Sequence, residues 1–167
     1  MGGFLLTVAA YGSFLITGVE FVASLLIRRL FFVPAGLHVL YYEFFSRPEH
    51  PFYMLSDSIF RGLLENPYGM PMPRVIALRY WVREFWPNVG YLGDAYGNFG
   101  MLGMFLFSGI LGAVLWLTNS VASRLPANFG AAMIASPGFA LTNSALFTSM
   151  STHGLILVVL MLWITPV

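Results

Sequence analysis

The segment Gly90-Tyr-Leu-Gly-Asp-Ala-Tyr-Gly-Asn-Phe-Gly-Met-Leu-Gly103 sets one carboxylate, Asp94, and one amide, Asn98, in a run of glycines. It passes without a break into Met104-Phe-Leu-Phe-Ser-Gly-Ile-Leu-Gly-Ala-Val-Leu-Trp-Leu117, which is nearly all apolar. A carboxylate there can take a proton from a hydroxyl, and an amide can both donate and accept. Polar groups at the mouth of a membrane helix are costly and usually functional. A second chemistry lies in the cations. There are eight Arg and no Lys. The planar guanidinium grips phosphate with paired N–H donors, whereas Lys is a point charge. Glu43 sits in the aromatic run Tyr41-Tyr-Glu-Phe-Phe45, where burial would suit it to proton transfer. His38, His50 and His153 have no metal-ligand spacing, and cysteine is absent, so neither a metal nor another cofactor is expected.

These groups need elements to hold them, and composition decides which kind. The chain has 167 residues, 58% hydrophobic and only 9% charged. A soluble domain carries about 25% charged residues. Too little polar surface is present to cover the molecule, so its solvent must be lipid. The net charge of +1 makes no case for nucleic acid. The expected fold class is an all-α, polytopic integral membrane protein, with about four transmembrane helices and one short re-entrant or interfacial helix.

The apolar segments are read as follows. The first runs from about Phe4 to Ile27, is interrupted by Glu20 and closes on Arg28-Arg29. The second, about residues 30–46, carries Pro34, Gly36, His38 and Glu43 and is short for a span. Membrane helices are expected near 99–118, 127–147 and 153–167, with Pro137-Gly138 kinking the middle one. Residues 46–97 form an extramembrane loop with five Arg, two Asp, three Glu and six Pro. Within it Arg74–Trp86 is read as an interfacial helix, with Val75, Leu78, Val82 and Phe85 on one face and Arg79 and Arg83 on the other. Residues 1–167 are expected to be a single membrane domain and a piece of a larger protein. The surplus of Arg in the 46–97 loop places that loop weakly on the cytoplasmic side by charge alone.

Asn88-Val-Gly-Tyr-Leu-Gly-Asp-Ala-Tyr-Gly-Asn-Phe-Gly-Met-Leu-Gly103 resembles the segment before a late transmembrane helix of bacterial oligosaccharide repeat-unit polymerases, the O-antigen (Wzy-like) polymerase group. Arg28-Arg-Leu-Phe-Phe-Val-Pro-Ala-Gly-Leu-His-Val-Leu-Tyr-Tyr-Glu-Phe-Phe-Ser46 is similar to the arginine-then-Pro-Ala-Gly segment of that group. Thr142-Asn-Ser-Ala-Leu-Phe-Thr-Ser-Met-Ser-Thr-His-Gly154 resembles its closing region. The resemblance implies a C-terminal half of such an enzyme, in the bacterial inner membrane, with the 46–97 loop on the periplasmic side. The implied activity is metal-independent glycosyl transfer that polymerises undecaprenyl-pyrophosphate-linked repeat units into O-antigen or exopolysaccharide. Membrane lipid, a chain-length regulator and a flippase are the implied partners, and no nucleic acid.

The residue types can be matched to that chemistry. Leaving-group charge on a lipid pyrophosphate calls for Arg, and the candidates are Arg28, Arg29, Arg47, Arg79 and Arg83. Each could equally anchor a helix end at the headgroups. Glu43 and Asp94 are the candidate catalytic carboxylates, and Asn98 a substrate-binding amide. Their plain alternatives are an ion pair for Glu43 and a helix cap for Asp94. His153 reads as a residue at a helix start. Arg29, Arg47 and Asp94 are expected to line one cavity at the outer membrane surface, with Glu43 and Asn98 near it. A lipid-linked oligosaccharide flippase or transporter, or a non-catalytic membrane subunit, is the alternative function. The chain shows no internal repeat of the kind transporters carry.

Overall fold

The computed structural model describes residues 28–166 continuously, and before them only residues 8, 11–12, 14–16 and 18, of which all but residue 18 are helical. The side chains of Arg29, Leu30 and Ala127 are outside the description. The expected first span, Phe4–Ile27 with Glu20, therefore lies largely outside the described residues.

Among the described residues the protein is all-helical; its one isolated bridge, Arg61 to Leu64, makes no strand. A π-helical turn, Arg28–Phe32, leads into α1, Val33–Phe45. Pro34 fits the first turn of α1, where its missing N–H has no partner to lose. Pro34, Leu37, Tyr41, Phe44 and Phe45 are the buried residues of α1. Their three- and four-residue spacing puts them on one face. The prolines of the following loop keep residues 46–71 in turns. Helix α2, Met72–Trp81, then buries Met72, Ile76 and Ala77 against α1.

Helix α3, Tyr91–Ala122, is broken by non-helical angles at Phe99 and Gly100. Before the break nearly everything faces protein: Gly93, Asp94, Ala95, Gly97 and Asn98 are buried. After it Met101, Leu102, Phe105, Leu106, Ile110, Trp116 and Leu117 are exposed and apolar. The 101–122 part is about 33 Å long at 1.5 Å per residue, enough for a hydrocarbon core of ~30 Å. Gly100 has φ +62° and ψ −146°, a region closed to side-chain-bearing residues. Gly97 has a different reason to be glycine. A Cβ there would sit 2.5 Å from the Tyr53 ring and 2.8 Å from the Phe45 ring.

Helix α4, Ala127–Ala140, carries Pro137 inside it. A turn follows, then the short α5, Leu146–Ser151, and α6, Leu155–Ile164, joined through Gly154 at φ +84°. Helix α6 packs on α3, α4 and α5. Its Ile156, Leu157, Leu160, Met161, Trp163 and Ile164 are exposed. Apolar surface on this scale marks contact with a membrane or a partner. Among the described residues two helical stretches are long and apolar enough to cross a membrane: α3, and Leu146–Ile164, which takes α5 and α6 together. Both point to membrane association.

Three expected boundaries change. Helix α3 starts at Tyr91 rather than near 99, because the glycine-rich stretch is packed between α1 and the 46–71 loop and is helical there. The break falls where the start was expected. The 127–147 helix ends at Ala140, since Thr142 and Asn143 turn back on the carbonyls of Phe139 and Ala140. The helix expected over Arg74–Trp86 spans Met72–Trp81 instead. Val82 takes a left-handed conformation, φ 53°, and ends it. Val82 and Phe85 are exposed and Val75 and Leu78 only partly buried; the buried face is instead Met72, Ile76 and Ala77.

The break in α3 predicts a contrast between two glycines. Gly100→Ala should lower the thermal stability of the detergent-solubilised protein by about 1–3 kcal/mol, from backbone strain. Gly109→Ala, where a Cβ meets nothing within 4 Å, should be neutral or slightly stabilising in the same measurement.

Candidate functional site

The head of α3 carries a buried polar network. Asp94 is 7% exposed and Asn98 is fully buried. Tyr53, from the 46–71 loop, lies across the helix in the space that Gly97 leaves open. Its hydroxyl donates to Asp94 Oδ1 at 2.6 Å and approaches the Asp94 backbone carbonyl at 3.0 Å. Its own N–H donates to the Gly97 carbonyl at 3.2 Å. Asn98 Nδ2 donates to the Asp94 carbonyl at 2.8 Å, and Asn98 Oδ1 accepts the Leu55 N–H at 2.6 Å. That last bond holds a turn in which Met54 and Leu55 both have positive φ, 44° and 65°. Burial, and then the neighbouring Asp94 charge, push the Tyr53 phenol well above its usual range, so it remains a donor.

Asp94 Oδ2 is buried and has no hydrogen-bond partner among the described residues. A buried carboxylate oxygen without a donor is costly unless a ligand or water supplies one. Asp94 lines a cavity of about 310 Å³. Across it and around it stand Asp57, Asn88, Asn143, Ser144, Thr148 and His153, with Tyr41, Met72 and Val89 as apolar wall. The α4–α5 turn is brought to this place by the backbone. Tyr91 N–H donates to the Leu141 carbonyl at 3.0 Å, and a Cβ on Gly90 would lie 2.6 Å from the Thr142 carbonyl oxygen. Asp57 Oδ2 accepts the Met72 N–H at the start of α2, 2.7 Å, and Arg61 stands 3.6 Å from Asp57 Oδ1. Burial raises the Asp57 pKa, with the Met72 N–H and the Arg61 charge pulling the other way.

The structure gathers some of the sequence candidates and separates others. Asp94 and Asn98 are together, four residues apart on α3. Asp94 is not a cap: Gly90 occupies that position, and no side chain caps the helix. Glu43 and Arg47 pair with each other at 2.8 Å, both nearly half exposed, so Glu43 is not buried. Such a surface pair contributes about 0–1 kcal/mol. Arg47 does not line the cavity with Asp94, because its helix end is turned to solvent. Among the described residues no Arg lines it. Arg28 is exposed on the π-helical turn, and Arg79 and Arg83 are exposed on and just after α2. The Arg29 side chain is outside the description. His153 lies before α6 as expected and reaches the cavity rim. Tyr53, Asp57, Asn88, Asn143, Ser144 and Thr148 were not among the sequence candidates. Asn88 and the 142–148 run lie inside the quoted motif segments, which was the available signal. Tyr53 and Asp57 had none. No group of acidic and His residues among those described could hold a metal ion.

Comparison of the chain with family models, with curated proteins and with solved structures finds no match.

Two outcomes follow from this geometry. Asn98→Ala should cost about 1–3 kcal/mol in thermal unfolding, because the Leu55 N–H and the Asp94 carbonyl both lose a buried partner; Arg47→Ala should cost under about 1 kcal/mol. For Asp57 the folded pKa is raised. Its contribution is therefore full below the unfolded-state value and is lost as pH rises through the raised value. Asp57→Asn, which keeps an acceptor for the Met72 N–H, should flatten the decline in stability over that acid-to-neutral range. An unchanged pH–stability curve would remove Asp57 as its source.

Proposed function

We propose that this chain carries out glycosyl transfer at a membrane, polymerising undecaprenyl-pyrophosphate-linked repeat units at the outer face of the bacterial inner membrane. One observation carries the reading. The three segments on which the family resemblance rests converge on one cavity: residues 28–46 contribute Tyr41, residues 88–103 contribute Asn88, Val89 and Asp94, and residues 142–154 contribute Asn143, Ser144, Thr148 and His153. Nothing in their spacing along the chain requires that meeting. Membrane spans beyond the two apolar helices, the multi-pass topology and the periplasmic placing of the 46–97 loop belong to the same proposal.

In this reading Asp94 is the general base. Its free Oδ2 takes the proton from an acceptor sugar hydroxyl held in the cavity. The acceptor oxygen then forms a bond to the donor's anomeric carbon. The bond from that carbon to the lipid pyrophosphate breaks, and the pyrophosphate leaves with the electron pair. Tyr53 holds the carboxylate in place and leaves Oδ2 as the reacting oxygen. Arg28 and Arg29, at the start of the π-helical turn, are the proposed contacts for the departing pyrophosphate.

Asp94→Asn in the full-length protein in cells should abolish the polymer ladder, a loss of about 100-fold or more. Single repeat units should remain, because their delivery is a separate step. Loss of single units along with the ladder would favour the transporter alternative. A wild-type ladder would end the role of Asp94 as base.

A further inference from the structure

Resting on the glycosyl-transfer reading, we infer that the Asp94 cavity is a charge-selective sugar subsite: it admits an uncharged, hydroxyl-bearing ring and rejects carboxylated sugars and phosphate groups. The lining carries two carboxylates, Asp94 and Asp57, and no arginine among the described residues. A carboxylate only accepts hydrogen bonds, and Asp94 Oδ2 lacks a donor while being buried. The ligand that completes it must bring an O–H or N–H. Asn88, Asn143, Ser144 and Thr148 can each donate and accept, which suits the mixed hydroxyl pattern of a sugar. Tyr41, Met72 and Val89 give an apolar wall for a ring face. The volume of about 310 Å³ lies at the low end of the ~300–1,000 Å³ range of ligand pockets, which fits one sugar unit rather than a chain.

The countercharges near the site do not reverse its sign. Arg61 faces Asp57 at 3.6 Å, but its side chain is 64% exposed and it does not line the cavity. His153 is the one imidazole in the described lining, and it is exposed at the rim. A carboxylate on the ligand would stand near Asp94 with no arginine between them among the described residues, and like-charge juxtaposition is unfavourable. The pyrophosphate of a lipid-linked donor is excluded for the same reason. It must lie outside this cavity, with only the sugar inside.

The test is direct binding to purified full-length protein in nanodiscs. Methyl glucoside and glucuronate are compared by saturation-transfer NMR. Wild type should bind the neutral sugar at least about tenfold better than the uronate. Asp94→Asn keeps an acceptor for the Tyr53 hydroxyl and removes the charge, so it should narrow the ratio to within about threefold. Asp57→Asn should narrow it partly, and serves if Asp94→Asn does not fold. Asn119→Ala, in a separate cavity between α3 and α4, should leave the ratio unchanged. Equal binding of the two sugars, preference for the uronate, no binding of either, or a ratio untouched by both carboxylate variants would overturn the inference. Selectivity as described beside a normal polymer ladder from Asp94→Asn would overturn the polymerase reading and leave the subsite standing. Equal sugar binding beside a lost ladder would do the opposite.

Discussion

The hydrogen bond from the Tyr53 hydroxyl to Asp94 joins a proline-rich loop to the head of a membrane-length helix, and the rest of the site depends on it. The loop has no long helix of its own to fix its position. It is held by a few bonds to α3: Tyr53 to Asp94, Tyr53 N–H to Gly97, and Leu55 N–H to Asn98. All three are buried or partly buried, so each is strengthened by low dielectric and each would be costly to leave unmade. By holding Tyr53, they also assign the two Asp94 oxygens. One is occupied, and the other is left without a protein partner at a cavity.

The break at Phe99 and Gly100 divides α3 by solvent. Upstream, two turns of small residues let α1 and the loop approach closely enough to bury a carboxylate and an amide. Downstream, the helix turns bulky apolar side chains outward. A single regular helix would continue one surface pattern through both regions. The local change of direction at Gly100 allows the polar head to face protein while the remainder exposes apolar side chains. The same need for close approach recurs at Gly90, where the α4–α5 turn lies against the backbone and brings Asn143, Ser144 and Thr148 to Asp94.

Among the described residues no arginine lines the cavity, although Arg61 stands beside Asp57. Arg47 is matched by Glu43 one turn away, Arg74 pairs with Glu84, and Arg124 donates to carbonyls at the end of α6. Arg28, Arg79 and Arg83 are at the surface. The chemistry that the cavity can perform is therefore that of carboxylates, amides and hydroxyls. The described arginines present their charge on other surfaces. This division is why the carboxylate site and the arginine candidates need separate experiments.

The sequence by itself determined the helical class and pointed to a membrane as the surroundings. A chain so poor in charge has too little polar surface to cover itself, and its long apolar runs favour helices, which satisfy backbone polar groups within the segment. It also marked the 90–103 segment, because glycines, an Asp and an Asn before an apolar run are a local signal. The short second helix was legible as a brief apolar run, read at about residues 30–46, while its buried face of Pro34, Leu37, Tyr41 and Phe44 came from the structure. Tertiary structure alone decided which polar groups meet. Tyr53 and Asp57 come from a loop whose path no periodicity describes, and their distance from Asp94 along the chain says nothing about contact. Whether Glu43 is buried or paired depended on which face of α1 met α3, and the aromatic residues on either side of it allowed both. The boundary at residue 99 was read as a helix start because composition changes there. What changes is the environment of a helix already under way, and only packing against α1 and the loop reveals that.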